Sequence, residues 1–336
     1  MFGSSAGRFL LDAHLKGIPF NASAAYSGMR AQATTERGAR LTREGFDSYA
    51  KFGYVPLETA LTGTSFTLAY ALDDWVAGRM AQAVGAPAAE AEFFLNRSQS
   101  YRNVFDPSTG FFCPREETGA FHCPEVPVLD PAGYYKEGNA WHYRFNVPHD
   151  VSGLIELFRS ANLDFVEELR KFTERAREYA GTALPNLWFW VGNEHDLLAP
   201  HLFAYASRLD LTTSHVRWTL KHRFSAKPNG VPGNDDYGAT SAWYVWGALG
   251  LYPEIGSGRY ILGAPLFERA VLSVGDDGET LTILAHGWCP ECVYVVAAAV
   301  DGAPVKLPQA PFVEHRNLVR GNVTLEFWLA ETPTMY

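Results

Sequence analysis

The chain has 336 residues, 47% of them hydrophobic and 14% aromatic, with a formal net charge of −9. That is enough apolar material for a sizeable core, arranged as one large domain or two smaller ones. The acidic balance argues against a nucleic-acid partner, which needs a basic face, and no run of about 18 apolar residues indicates a membrane span.

In chain order, the opening "MFGSSAGRFLLDAHLKGIPF" lacks the basic, apolar and small-residue regions of a secretory signal. Its GxSxG spelling, Gly3 to Gly7, has no strand before it and reads as a chance match. Ser65 to Gly85 predicts a helix: Leu68, Leu72, Trp75, Val76 and Met80 recur near helical spacing, and Gly85 is the stop. A long loop rich in Pro, Gly and aromatics follows, from Phe105 to Trp141. Loops of that length in compact domains are usually functional. "VSGLIELFRS" (151–160) and "NLDFVEELRKFTERAREYA" (162–180) predict two more helices. "ATSAWYVWGALGLYP" (239–253) predicts another, ended by Pro253. After Arg259 the pattern alternates, with turns at "GDDG" and "VDGA", and predicts antiparallel strands. The fold class is therefore mainly α with a C-terminal β-region: a helical part over 1–258 and a β-rich part over 259–336.

The four cysteines form two local pairs, Cys113 with Cys123 and Cys289 with Cys292. "CPEC" has the spacing of a redox or half-zinc site. No βαβ pattern surrounds it, so structural disulfides or inert thiols are the better reading. Three N-x-S/T triplets, at Asn21, Asn96 and Asn322, arise too easily by chance to fix a compartment.

Three stretches could carry chemistry. "YYKEGNAWHYRFNVPHD" sets Glu137 among aromatics, where desolvation would suit a general acid; a solvated loop Glu is the plainer alternative. "WVGNEHD" gathers Asn193, Glu194, His195 and Asp196. Its oxygens suit Ca²⁺ or Mg²⁺; His195 alone, without HExxH spacing, does not make a zinc site. "GNDDYG" adds Asn234, Asp235 and Asp236 in a Gly-bounded bend before an aromatic helix. Paired carboxylates there need a metal, a hydrogen-bond network or solvent to offset their repulsion. No P-loop or dinucleotide fingerprint is present. Oxygen-rich loops with Trp and Tyr flanks point to a carbohydrate-active site.

The ordered words "GYVPLE", "SFTLAYALDDWVAGRMAQAVG", "NRSQSYRNVFDPSTGFFCPR", "EGNAWHYRFNVPHD", "VGNEHD" and "GNDDYGATSAWYVWGALGLYPEIGSGRYILGAPLFERAVL" resemble glycoside hydrolase family 92. The resemblance runs from about Gly53 to Leu272. It implies calcium-dependent, inverting exo-α-mannosidases with an N-terminal β-sandwich packed on an (α/α)6 barrel. It casts Glu137 as general acid and Asp236 as general base. Asn139, Trp141, His142, Glu194, Asn234, Asp235 and Trp243 would line the sugar site, with Tyr143 as a further wall. Asn193, Glu194 and Asp236 would hold Ca²⁺. For the aromatic residues, ordinary core packing is an equal reading. Partners would be mannose-containing glycans or glycoproteins, in a secreted or periplasmic setting. The sequence departs from the family's pattern at His142, where Gln is common, and at His195, where Pro is usual. Members are about twice this length, so the chain is expected to match a C-terminal half and to require the sandwich half for activity. Linkage preference stays open. The alternatives are a non-catalytic mannose-binding module, an inactive truncated fragment and a helical scaffold.

Overall fold

The computed structural model describes residues 5–35, 42–178, 186–275 and 278–334. Packing groups the chain into two units, Met1–Phe165 with Ile255–Ser257, and Val166–Glu254 with Gly258–Tyr336. The secondary structure does turn from helix to strand late in the chain, as the sequence pattern indicates. The packing boundary lies elsewhere, inside the first turn of a helix that starts at Phe165.

The first unit holds helices α1 (Ser5–Leu15), α2 (Ala22–Thr34), α3 (Phe46–Phe52), α4 (Gly63–Ala83) and α5 (Ala88–Arg97). Leu11, Tyr26, Met29, Leu72, Val76, Met80 and Phe94 form one of its cores. The alternation in α4 reads as amphipathic, but the helix is buried on nearly every side, Asp73 and Asp74 included. Those acids are tolerated because cations meet them. Arg8 Nε donates to Asp73 at 2.9 Å. Asp74, at 0% exposure, accepts from Arg43 at 2.7 Å, from Arg97 at 2.6 and 2.8 Å, and from the Tyr49 hydroxyl at 3.0 Å. Burial raises the Asp74 pKa, yet Arg43 and Arg97 together hold it below the usual carboxylate range. Beyond α5, a short hairpin of β1 (Phe105–Asp106) and β2 (Phe111–Phe112) opens the long loop, which the Cys113–Cys123 disulfide pins. Helices α6 (Ala140–Tyr143) and α7 (Val151–Ser160) follow.

The second unit takes in α8 (Phe165–Glu178) from its second residue on, α9 (Leu209–Arg223) and α10 (Ala239–Leu249). Tyr179 and Ala180, at the end of the expected helix, lie outside the described residues, as do Gly3, Ser4, Asp276 and Asp277. Helix α10 stops four residues before Pro253. Gly250 ends it with φ 74°, where an added Cβ would sit 2.8 Å from Pro265. Pro253 instead lies in strand β3 (Leu251–Glu254), opposite Tyr260 of β4 (Arg259–Leu262).

Strands β3, β4 and β9 (Phe312–Glu314) form one antiparallel sheet. A second sheet runs in the order β5 (Arg269–Val274), β6 (Glu279–His286), β10 (Val323–Ala330), β7 (Tyr294–Val300), β8 (Ala303–Pro304). It is not wholly antiparallel: β10 runs parallel to β6. The reason is its connection, which leaves β9, passes the short α11 (His315–Leu318) and enters the sheet between two strands already made. Asp301 and Gly302, both at positive φ, make the two-residue turn between β7 and β8. Leu262, Leu281, Ile283, Leu325 and Phe327 share one core.

The ionic cluster around Asp74 yields a stability prediction. Asp74→Ala leaves Arg43, 2% exposed, without its main counter-charge. Stability measured by urea unfolding should fall by about 3–5 kcal/mol, the usual cost of orphaning a buried charge. A loss under about 1 kcal/mol would show that water or another acid takes over.

Candidate active site

In the first unit, Glu137 sits on a loop tied down on both sides. Asp130 accepts the Tyr134 and Tyr135 amides at 2.9 and 2.8 Å. The Lys136 amide donates to Ser65 Oγ on α4 at 3.2 Å, and the Tyr143 hydroxyl donates to the Lys136 carbonyl at 2.6 Å. Asn139 caps α6, accepting from the Trp141 and His142 amides at 2.9 and 3.2 Å. Between these anchors Glu137 takes a left-handed backbone, φ 51°. Its side chain is exposed, so the described residues do not form the apolar enclosure expected around it. The neighbouring aromatics face inward instead. Tyr135 is buried and donates to the Phe112 carbonyl at 2.6 Å. Trp141 is buried edge-on to Phe111, with the Arg144 guanidinium 4.6 Å from its ring centre. Asn139 and His142 are buried too.

In the second unit, the "VGNEHD" and "GNDD" loops meet backbone to backbone. Gly233, φ 63°, has no room for a side chain: a Cβ there would overlap the Gly192 carbonyl oxygen and lie 2.7 Å from Gly192 Cα. The contact joins the backbone just before Asn193 and Glu194 to the backbone just before Asn234, Asp235 and Asp236. Asn193 Oδ1 accepts the Glu194 amide at 2.9 Å, and Glu194 is exposed. Asp196, fully buried, accepts the Trp190 amide at 2.7 Å and closes the loop from below. Burial pushes its carboxyl well above the usual range. Trp243 is buried in α10 and donates Nε1 to the Leu197 carbonyl at 2.9 Å. It ties helix to loop.

The adjacent carboxylates of the bend divide their work. Asp235 accepts from the Ser241 amide at 3.0 Å and its hydroxyl at 2.6 Å, satisfying a donor in the first turn of α10. The Ser241 hydroxyl and amide bonds hold Asp235 below the usual carboxylate range. Asp236 follows at φ 48° and Tyr237 at φ 58°. The Asp236 side chain is half-buried and takes no hydrogen bond among the described residues. Asn234 is exposed; its carbonyl accepts the Thr240 hydroxyl at 2.9 Å.

Sequence reasoning missed His201. It is buried and stacks on Tyr252 at 3.9 Å between ring centres, with Trp243 edge-on at 5.9 Å. Neither ring nitrogen has a partner among the described residues. Burial drops its pKa to about 3. No local motif marks it; only the fold brings Tyr252 from β3 onto it. Groups of His, Cys, Asp and Glu already at metal-binding distance occur twice among the described residues, Asp106 with Cys113 and Cys123, and Cys289 and Cys292 with Glu331. Both cysteine pairs are disulfides, which removes the thiolates zinc would need.

The model of the glycosyl hydrolase family 92 catalytic domain matches residues 1–331. A family GH92 α-mannosidase from Bacteroides thetaiotaomicron, in complex with mannoimidazole, superposes with a TM-score of 0.86 at 26% identity, covering 99% of this chain and 44% of that one. The family GH92 inverting mannosidase from Bacteroides thetaiotaomicron VPI-5482 gives 0.85 at 26% identity, covering 99% and 46%. An uncharacterized secreted glycosidase of Arthroderma benhamiae is 28% identical, over 89% of this chain and 42% of its own length. The chain thus spans less than half the length of these relatives.

Two substitutions probe this geometry. Gly233→Ala drives a Cβ into Gly192 and requires a strained φ. It should cost about 1–3 kcal/mol and disturb the Asn193–Glu194 loop, read as increased amide exchange there. His201→Phe keeps a ring in the stack and removes two nitrogens. A histidine whose folded pKa is depressed contributes stability above its unfolded value, near 6.5, that is lost as pH falls toward about 3. The Phe variant should therefore lose less stability between those limits, with a lower acid-unfolding midpoint by tryptophan fluorescence. An unchanged midpoint would mean that His201 is not neutral in the fold.

Proposed function

Because the chain belongs to glycosyl hydrolase family 92, we propose that it carries the hydrolytic centre of an inverting α-mannosidase acting on terminal α-linked mannose in glycans or glycoproteins. The observation that carries this reading is the Gly192–Gly233 contact. It joins the loop that carries Asn193 and Glu194 to the loop that carries Asn234 and Asp236, which supports reading their oxygens as one site; the Asp236 side chain takes no hydrogen bond among the described residues.

Glu137, displayed on its anchored loop, donates a proton to the glycosidic oxygen as the bond to the anomeric carbon breaks. Asp236 takes a proton from the water that attacks the same carbon from the opposite face. One C–O bond forms as the other breaks, and β-mannose is released. The donors at the patch are hard oxygens, which fit Ca²⁺ and not a thiophilic metal. Asn193, Glu194 and Asp236 would hold the ion. When bound, it would offset their charge and bind sugar hydroxyls. The exposure of Glu137 favours a second reading for the chain by itself: mannose bound without turnover, with activity needing the further length its relatives have.

The test combines substitution, metal and stereochemistry. In the active protein, Glu137→Gln should lower hydrolysis of natural α-mannosides by about 10²–10⁴-fold. The loss should be much smaller with an activated aryl leaving group. Calcium chelation should remove activity and Ca²⁺ restore it. NMR should find β-mannose first. First-formed α-mannose, or restoration by Zn²⁺ alone, would overturn the assignment. The 336-residue chain assayed alone on α-mannobiose should turn over poorly; robust turnover would remove the second reading.

A further inference from the structure

The outward face of the five-stranded sheet carries side chains that neither the core nor the hydrolytic patch uses. In β10, Val323, Leu325, Phe327 and Leu329 point into the core, which leaves Thr324, Glu326 and Trp328 on the other face. Register sets Trp328 between His286 of β6 and Ala297 of β7. The His286 ring lies 4.7 Å from the indole, inclined by 25°, and covers one flank of it. On the other flank the register sets Ala297, itself exposed, next to the irregularity in the β7–β10 pairing. Trp328 is 37% exposed as a result. His286 Nε2 bonds Glu326 Oε1 at 2.9 Å. Glu326 Oε2 and His286 Nδ1 have no partner among the described residues.

We propose that this face is a second saccharide-binding platform, with Trp328 as the stacking wall and Glu326 and His286 as the polar edge. A pyranose has what such a surface needs. Its C–H face is apolar and covers the electron-rich face of an indole. Its hydroxyls lie around the ring rim, where the carboxylate and imidazole can bond them. The small Ala297 leaves the indole flank open to a flat ring; a larger side chain there would close it. Anionic ligands are disfavoured by Glu326 and by the chain's charge of −9. The choice of α-mannan as the saccharide rests on the proposed function; the platform itself does not.

The 336-residue chain is run in native gels cast with and without α-mannan, and binding of a mannan oligosaccharide is measured by calorimetry. Wild type should be retarded by mannan. Trp328→Ala should bind about tenfold more weakly or worse, while Trp328→Phe, which keeps a ring, retains most of the affinity and controls for folding. Glu194→Ala with Asp236→Asn should keep the share of retardation that Trp328→Ala removes. If wild type is not retarded, or Trp328→Ala binds like wild type, the platform does not exist. Loss of retardation in the Glu194/Asp236 variant alone would assign the binding to the hydrolytic patch. A concentration-dependent dimer by light scattering that Trp328→Ala dissolves would make this face a contact between copies, and would also overturn the proposal.

Discussion

The contact between Gly192 and Gly233 is the constraint on which the candidate site turns. Two loops about forty residues apart in sequence approach until backbone meets backbone. No other residue type permits that approach at both positions. The contact joins the loop of Asn193 and Glu194 to the loop of Asn234 to Asp236. The supports beneath are ordinary ones. Asp196 bonds the Trp190 amide, and Trp243 bonds the Leu197 carbonyl. These residues hold the geometry without being available to a sugar. Trp243 therefore answers to packing in this chain, and so does Trp141 in the first unit, where Arg144 and Phe111 cover its ring.

The two proposed catalytic carboxylates share a local feature. Glu137 and Asp236 both occupy left-handed backbone at positive φ, a conformation that side-chain-bearing residues avoid at a cost of about 1–2 kcal/mol. Each is held there by neighbours that are themselves fixed. Lys136 is bonded through both its amide and its carbonyl, and Asp235 is locked onto the first turn of α10. Local propensity would relax these positions to another conformation; tertiary structure overrules it. At Asp236 the result is a half-buried acid in a run whose neighbours Asn234, Asp235 and Tyr237 are exposed; at Glu137 it is an exposed acid between buried Tyr135 and buried Asn139. Strain that the surroundings over-determine is a recurrent property of functional positions. It gives the pairing of Asp235 and Asp236 a physical sense, one side chain bonded to the first turn of α10 and the other with no hydrogen bond among the described residues.

Much of this was legible in the sequence, and the rest was not for identifiable reasons. Helix α7 and strands β6 and β10 follow from periodicity, because each buries one regular face. The motif words mark Glu137 and Asp236 because short glycine-bounded segments preserve their spelling. Periodicity placed helix α4 but not the pairing of its acids, since a helix buried all round can hide them if distant arginines meet them, and Arg43 and Arg97 lie 31 and 23 residues from Asp74. It ended α10 at Pro253 because proline is the louder stop; Gly250, in left-handed backbone against Pro265, acts first. The parallel placement of β10 depends on chain routing, which no local pattern records. His201 was invisible because its neighbours, Tyr252 of β3 and Trp243 of α10, come from two separate elements.

The distribution of burial separates fixing a site from tuning it. In this chain the deeply buried titratable groups are supports: Asp74 among arginines, Asp196 under its loop, His201 in its stack. Glu137 and Glu194 are exposed and Asp236 is half-buried. A catalytic carboxyl commonly needs low-dielectric surroundings to keep its proton near neutral pH, and backbone anchoring does not provide them. Here the chain supplies direction, through strained backbone and capped helix ends, while enclosure has to come from what covers those side chains. A bound glycan is one such cover, since closing a sugar over the patch expels water from it. Under the proposed function, positioning is built into each unit's fold in advance, and the electrostatic part of catalysis depends on what covers each acid.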